Sequence, residues 1–297
     1  AIVSCWEHPT QIMCDISCCS QQVARPGIIA QAFPEFHHLV VGGSSQILNI
    51  GVSFHKTQVI GQALFHPGLL QDDFRKPDVV RVLNEEASKS NTHAYQNYKG
   101  SPILRKAIAD WYATWYGVTL NVDTEILPLI GSKEGIMHIC MTYLNEGDQV
   151  FIPNPGYPTY TSAVKLAGGT PLYYELTADN SWAPDFENLE KSDLSKVKLM
   201  WVNYPHMPTG QRPTKELFQK LVAFGRKHQI LICHDNPYAF ILNDQPESLL
   251  SIEGAKEVVI ELNSLSKSQN MAGWRVGMLI AAEDRINEIL RFKSNMD

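Results

Sequence analysis

The feature that most constrains the fold is an alternation of short apolar runs with helical segments. Strands alternating with helices favour a mostly parallel sheet between two layers of helices, because parallel neighbours need a crossover connection. We therefore predict a three-layer α/β/α fold with a mostly parallel sheet. The apolar runs of strand length are residues 126–130, 149–153, 170–176, 198–203, 230–235, 258–263 and 276–281.

Length and charge narrow the class of protein. The chain has 297 residues, of which 44% are hydrophobic, which is enough for one large domain or two modest ones. Its net charge of -6 supplies no basic field for nucleic acid or for an anionic membrane. No apolar run is long enough to span a bilayer, and residues 1–7 lack the features of a signal peptide. We expect a cytoplasmic protein without a nucleic-acid or membrane partner.

The cysteines do not follow a metal-binding pattern. The spacing of Cys14, Cys18 and Cys19 lacks the paired C-x-x-C of a zinc site. A chain of this length does not need a disulfide scaffold. We expect reduced thiols and no bound metal. The six cysteines are Cys5, Cys14, Cys18, Cys19, Cys140 and Cys233.

The chain divides into two parts of unequal clarity. Residues 1–73 carry scattered turn residues and short apolar runs without a sustained period. We expect them to form a divergent or poorly ordered N-terminal segment, or to be no native part of the protein. From residue 74 the helical and strand signals become regular, which predicts one large domain over residues 74–297.

A lysine between two apolar runs is the first candidate for chemistry. Lys267 lies in a polar connection after residues 258–263, with Ser264 three residues before it and Arg275 eight after it. Burying its ammonium group is costly, so Lys267 either reaches water or loses its proton and becomes a nucleophile that forms a Schiff base. A hydroxyl and a guanidinium beside it can hold a phosphate.

Three other polar features lie at the ends of predicted strands. Residues 131–133 form a glycine turn between a strand and a helix, where free backbone N–H groups bind phosphate well. Tyr157 is held in a turn that contains two prolines and a glycine. Asp235 ends a strand at the edge where a parallel sheet binds ligands, although by itself it is equally well a helix cap or a turn residue.

In this order, the motifs resemble those of the class I/II aminotransferases, the pyridoxal-phosphate (PLP) enzymes related to aspartate and diaminopimelate aminotransferases. Residues 264–267 match S-x-[SA]-K, and residues 273–277 match G-x-R-x-G. The resemblance implies that Lys267 binds PLP covalently and that Ser264 and Arg275 contact its phosphate. It also implies the large domain of the PLP-dependent transferase fold.

The same resemblance implies roles for further residues. Ser132 and Lys133 would cradle the phosphate, and Tyr157 would stack on the pyridine ring. Asp235 would face the ring nitrogen and Tyr238 the phenolic oxygen. Tyr95 would reach the site of the other subunit in a homodimer. Tyr160 is expected to be structural.

One position departs from the family. In the N-P-T-G motif the asparagine bonds the phenolic oxygen of PLP, and here Met207 precedes residues 208–210. A methionine cannot donate that hydrogen bond, a loss of roughly 0.5 to 1.5 kcal/mol. Asn203 and His206 are the two candidates for replacing the contact.

The activity that the resemblance implies is transamination between an L-amino acid and a 2-oxo acid. Lys267 would move the α-proton of the substrate, and Asp235 would keep the ring nitrogen protonated. A PLP-dependent carbon-sulfur lyase would share every motif. Because the small domain of the family would follow the lysine motif, an inactive truncated fragment is a further alternative. A regulator built on the same domain is disfavoured, because no basic helix-turn-helix precedes Pro77.

Overall fold

The computed structural model describes residues 76–92 and 94–296. The predictions for residues 1–73, including those for the first four cysteines, lie outside the described residues. The described helices are α1 (Lys76–Ala87), α2 (Pro102–Tyr116), α3 (Ser132–Tyr143), α4 (Pro158–Leu166), α5 (Phe186–Leu189), α6 (Lys215–His228) and α7 (Glu283–Lys293). The described strands are β1 (Ile126–Leu129), β2 (Gln149–Asn154), β3 (Thr170–Glu175), β4 (Val197–Asn203), β5 (Leu231–Asp235), β6 (Val259–Ser264) and β7 (Gly277–Ile280).

The strands form one sheet in the order β1-β7-β6-β5-β4-β2-β3. Strands β3, β2, β4, β5 and β6 pair in parallel, whereas β7 runs antiparallel to both of its neighbours. The prediction of a mostly parallel sheet is therefore confirmed. Since β1 and β6 are both antiparallel to β7, they share a direction, and the carboxyl ends of six strands meet the start of β7 at one edge.

Helices cover both faces of the sheet because the strands are apolar on both sides. Val150 and Ile152 of β2 pack in a cluster with residues of α3, α4 and α7, whereas Phe151 packs in a second cluster with α2 and α6. Successive side chains of a strand point to opposite faces, so a run buried throughout needs a helical layer on each side. This is the three-layer arrangement expected from the sequence.

Local signals set the ends of the helices. Pro102 opens α2, where its missing N–H has no intrahelical partner to lose, and Gly117 ends the helix with φ of 65°. The hydroxyl oxygen of Thr214 accepts a hydrogen bond from Leu217 N at 3.1 Å and caps α6. Among the described helices, none is long and apolar enough to cross a membrane.

Candidate active site

The residues predicted to carry chemistry gather at the edge of the sheet where the six carboxyl ends meet. Each lies at a strand end or in the connection that follows one, and a polar crevice at this edge is where parallel α/β sheets bind ligands. The motifs that are scattered over the sequence therefore converge in space. They are Ser132 and Lys133 after β1, Tyr157 after β2, Asp235 at the end of β5, Tyr238 after it, Ser264 at the end of β6, Lys267 after it, and Arg275 before β7.

Asp235 is buried at the end of β5, and its carboxylate is only half satisfied. Its Oδ2 accepts a hydrogen bond from the Tyr160 hydroxyl at 2.8 Å. Its Oδ1 is buried without a hydrogen-bond partner among the described residues. Because buried polar atoms almost always have partners, the free oxygen marks a position for a donor from a ligand. The protonated nitrogen of a pyridine ring is such a donor, so the residues present fit PLP at this point.

The electrostatics of Asp235 agree with a cationic ligand. Burial raises the pKa of its carboxyl to about 6, against the hydrogen bond from Tyr160 and the positive charges of His234 and Lys267, which lower it. When ionisation of a carboxyl is costly in the absence of a ligand, a cation that binds beside it stabilises the ionised form most. Lys267 is near enough for its charge to lower this pKa.

Lys267 stands on a short turn that is tied to the end of β5. Within the turn, Asn270 N donates to Lys267 O at 3.1 Å. The hydroxyl of Ser268 donates to the backbone oxygen of Pro237 at 3.0 Å, which joins this turn to the segment after Asp235. The side chain of Lys267 is exposed, so its amine is accessible to a ligand, and the predicted Schiff base stays a prediction.

The turn before α3 is shaped for a small anion. Gly131 has φ of 83°, in the region that favours glycine, and a Cβ built on it would collide with the guanidinium of Arg275. A Cβ on Gly277 would approach Ser132 N to 2.6 Å. Two glycines therefore bring Arg275 and the first N–H groups of α3 together, a combination suited to an anionic group.

Ser264 is engaged inside its own loop. Its buried hydroxyl donates to the backbone oxygen of Val276 at 3.3 Å and accepts from Ser266 N at 3.1 Å. These bonds brace the turn that carries Lys267 against the start of β7. The predicted contact of Ser264 with a phosphate stays a prediction.

Aromatic side chains form one wall of the site. Tyr157 is half-buried and meets Tyr160 edge to face, with ring centroids 5.6 Å apart. The pKa of the Tyr238 hydroxyl is raised, mainly by burial and further by the charges of Asp235 and of the neighbouring Tyr157. Tyr157, Tyr238 and Asp235 are therefore neighbours, as the predicted roles require.

Tyr160 is the residue that sequence reasoning missed. Its ring stacks on Trp201 at 4.9 Å with an interplanar angle of 7°, and its hydroxyl holds Asp235. We expected it to be structural, whereas it is hydrogen-bonded to the carboxylate at the centre of the site. A signal was present, because Tyr160 follows Tyr157 by three residues and so lies about one helical turn away.

Both candidates for replacing the contact at Met207 make other hydrogen bonds. The side-chain oxygen of Asn203 accepts from Met207 N at 2.8 Å, and its amide donates to Asp235 O at 2.7 Å. The ring nitrogens of His206 are hydrogen-bonded to Thr209 Oγ1 at 2.8 Å and to Pro155 O at 3.1 Å. Asn203 therefore joins the ends of β4 and β5, and the replacement of the lost contact stays a prediction.

Tyr95 lies apart from these contacts. Its side chain is fully exposed on the connection between α1 and α2. Exposed aromatic side chains are common at interfaces, where one end is buried and the hydroxyl finds a partner. The prediction that Tyr95 reaches a second subunit stays a prediction.

Solved structures identify the class of protein to which this fold and site belong. The apo structure of BacF from Bacillus subtilis has a TM-score of 0.70 and 37% identity, covering 73% of this chain and 58% of that chain. An aminotransferase from Staphylococcus aureus has a TM-score of 0.68 and 32% identity, covering 72% and 57%. The fold is that of the PLP-dependent aminotransferases.

The sequence comparison then identifies the family. The model of aminotransferase class I and II matches residues 68–296, so the chain belongs to this family, as predicted. The family depends on PLP. An LL-diaminopimelate aminotransferase from Dehalococcoides mccartyi is 45% identical over 221 residues, which cover 74% of this chain and 57% of the relative. One from Natranaerobius thermophilus is 42% identical over 245 residues, covering 82% and 64%. The chain thus spans less than two thirds of the length of these relatives.

Proposed function

We propose that the protein is a PLP-dependent aminotransferase that exchanges an amino group between an L-amino acid and a 2-oxo acid. The observation that supports this most directly is the free, buried Oδ1 of Asp235, whose carboxyl also senses the charge of Lys267. When bound, PLP supplies an aldehyde carbon for attachment and a protonated ring that withdraws electrons from the α-carbon of the substrate. The residues described above would hold it.

The proposed chemistry uses three side chains. Lys267 would hold PLP through its aldehyde carbon, and its amine, once released, would take the α-proton of the substrate as a general base and give it back as a general acid. Asp235 Oδ1 would hold the ring nitrogen of PLP and keep it protonated. The Tyr238 hydroxyl, which stays protonated because its pKa is raised, donates to the phenolic oxygen.

The remaining residues orient the cofactor. Arg275 and the N-terminus of α3 bind the phosphate, with Ser132, Lys133 and Ser264 as further contacts. Tyr157 would stack on the pyridine ring. Tyr95 completes the site of a second subunit in a homodimer. We propose a cytoplasmic location.

The relatives suggest which substrate to test first. Those of Dehalococcoides mccartyi and Natranaerobius thermophilus are named LL-diaminopimelate aminotransferases. The structural neighbours carry other names, including an aromatic aminotransferase from Pyrococcus horikoshii with 25% identity. We therefore propose LL-diaminopimelate as the first amino donor, within a panel of acidic, aromatic and small aliphatic amino acids.

An absorbance titration with PLP tests the proposal. The wild-type protein should develop the absorbance band of a lysine-bound aldehyde, and Lys267→Ala should not. Lys106→Ala is the matched control, because Lys106 is an exposed lysine paired with Asp110 on α2. A band of equal strength in Lys267→Ala would disprove the assignment of the nucleophile.

Product analysis separates the lyase alternative. An aminotransferase converts a donor and a 2-oxo acid into a new pair, whereas a carbon-sulfur lyase releases a thiol from cystathionine. The relatives from Dehalococcoides mccartyi and Natranaerobius thermophilus and the neighbour from Staphylococcus aureus are named as aminotransferases, which favours amino transfer over the lyase. Cleavage of cystathionine without amino transfer would contradict the proposed activity while leaving the cofactor site intact.

A further inference from the structure

A buried polar pair lies behind the candidate site, on the opposite face of β5 from Asp235. His234 and Glu261 are register partners in neighbouring strands, and both side chains are fully buried. His234 Nδ1 lies 2.8 Å from Glu261 Oε2, and His234 Nε2 lies 2.9 Å from the backbone oxygen of Tyr204. The site described above does not explain this pair.

The partners of the imidazole fix where its protons are. A backbone carbonyl has no proton to give, so Nε2 must carry one to make its contact with Tyr204 O. The other nitrogen faces a carboxylate, and one proton is shared between Nδ1 and Oε2. Two arrangements remain, an imidazolium beside a carboxylate or a neutral imidazole beside a carboxylic acid.

The surroundings of Glu261 decide between these arrangements. Its carboxylate accepts hydrogen bonds from the Tyr112 hydroxyl at 2.9 Å, the Ser248 hydroxyl at 2.8 Å and Leu249 N at 3.1 Å. Burial and the charge of Glu261 raise the pKa of Tyr112, so that hydroxyl remains a donor. Three donors to one carboxylate favour its ionised form, which leaves the shared proton on His234.

We infer that His234 is a buried imidazolium, paired with Glu261, and that it acts as a positioning residue that keeps Asp235 ionised for the cofactor. The two residues are adjacent in β5 and point to opposite faces of the sheet. The charge of His234 is among the causes that lower the pKa of Asp235. Through Nε2, His234 also holds the backbone of Tyr204, the first residue of the loop after β4.

The groups that face His234 come from several elements. Glu261 of β6 supplies the negative charge. The hydroxyls of Tyr112 in α2 and of Ser248 donate hydrogen bonds to the Glu261 carboxylate, so they act on His234 through it. Phe218 of α6 meets the imidazole edge to face, with ring centroids 5.2 Å apart. A buried charge pair of this kind is stable only when its remaining hydrogen bonds are satisfied, and here both partners meet that condition.

The protonation state is testable in the protein without PLP. Nitrogen NMR of the protein labelled with ¹⁵N-histidine, with the signal assigned by its loss in His234→Gln, should show a proton on both ring nitrogens at about neutral pH. An unprotonated ring nitrogen in this signal would overturn the inference.

The effect on Asp235 needs a second measurement, which carbon NMR of labelled aspartate provides. We expect His234→Gln, which keeps a donor for Tyr204 O but carries no charge, to raise the titration midpoint of Asp235 by about one pH unit or more. The double variant His234→Gln/Glu261→Gln should recover part of that shift, because it also removes the negative charge. Equal midpoints in all three proteins would show a merely structural role.

If His234→Gln does not fold, His234→Asn can replace it, because asparagine retains a donor for Glu261. The same rise of the Asp235 titration midpoint is expected. Only the purpose of the ionised Asp235 rests on the proposed function, since both measurements are made without the cofactor. A protein that fails to bind PLP yet shows the imidazolium and the shifted midpoint would refute the function alone. An unprotonated nitrogen in a protein that binds PLP would refute this inference alone.

Discussion

The hydrogen bond from Tyr160 to Asp235 makes a quantitative prediction. Tyr160→Phe removes the donor to Oδ2 at 2.8 Å and keeps the ring that stacks on Trp201. Both residues are buried, so water does not replace the lost hydroxyl without rearrangement. The substitution therefore isolates the contribution of one hydrogen bond to the ionisation of Asp235.

The size of the effect follows from the charge of the acceptor. A hydrogen bond to an ionised group contributes about 1.5 to 3 kcal/mol. One pKa unit corresponds to about 1.4 kcal/mol, so the loss raises the pKa of Asp235 by about 1 to 2 units. The starting value is about 6, so in Tyr160→Phe the carboxyl becomes largely protonated at neutral pH. It then no longer supports a protonated pyridine.

Carbon NMR of labelled aspartate measures this pKa in the protein without PLP, and an absorbance titration measures its effect on cofactor binding. Tyr174→Phe is the matched control, because the Tyr174 hydroxyl also makes a buried hydrogen bond, to Trp201 O at 2.7 Å, and does not touch Asp235. A midpoint that stays near 6 in Tyr160→Phe, or moves equally in Tyr174→Phe, would refute the reasoning.

Three further predictions concern the same edge of the sheet. Burial raises the pKa of Asp235 from 3.8 to about 6, so folded-state stability falls as pH rises between these values. Asp235→Asn should therefore raise the free energy of unfolding of the protein without PLP by up to about 3 kcal/mol at a pH above this range, and leave it unchanged at a pH below it. Urea unfolding on each side of the range measures this difference. Gly131→Ala should weaken PLP binding about tenfold or more, because the new Cβ displaces Arg275. Gly210→Ala is the control: Gly210 has a similar φ of 75° but open space around its Cβ position, so this variant should lose only stability, by about 1 to 3 kcal/mol. Met207→Asn should tighten PLP binding about 2- to 10-fold in the absorbance titration by restoring a donor to the phenolic oxygen.

The strands could be predicted because burial on both faces leaves a local mark. The run at residues 149–153 was recognisable since a strand covered on both sides is apolar without alternation, and it forms β2 at Gln149–Asn154. The direction of β7 could not be read in this way. Residues 276–281 look like any other buried run, and their antiparallel pairing with β1 and β6 depends on how the chain returns to the sheet.

The site residues also differ in whether a local sequence pattern reveals them. Lys267 and Asp235 were found because short motifs surround them. The hydroxyl of Tyr160 meets a residue 75 positions away, and no local pattern records such a contact. The sequence does contain a signal for the pair of His234 and Glu261, since a charged residue inside an apolar strand run needs a buried partner. Its identity becomes clear only from the register of β5 with β6.

The contacts of β5 explain how a buried carboxylate stays available to a ligand. Tyr160 on one face and His234 on the other both lower a pKa that burial raises, and neither occupies Oδ1. Without a ligand the ionised Asp235 therefore costs stability, and a cationic ring nitrogen at Oδ1 would recover the difference. Since this recovery requires an ionised Asp235, PLP should raise the melting temperature more above the pKa of about 6 than below it. Equal stabilisation on both sides of that pH would mean that Asp235 does not face the ring nitrogen.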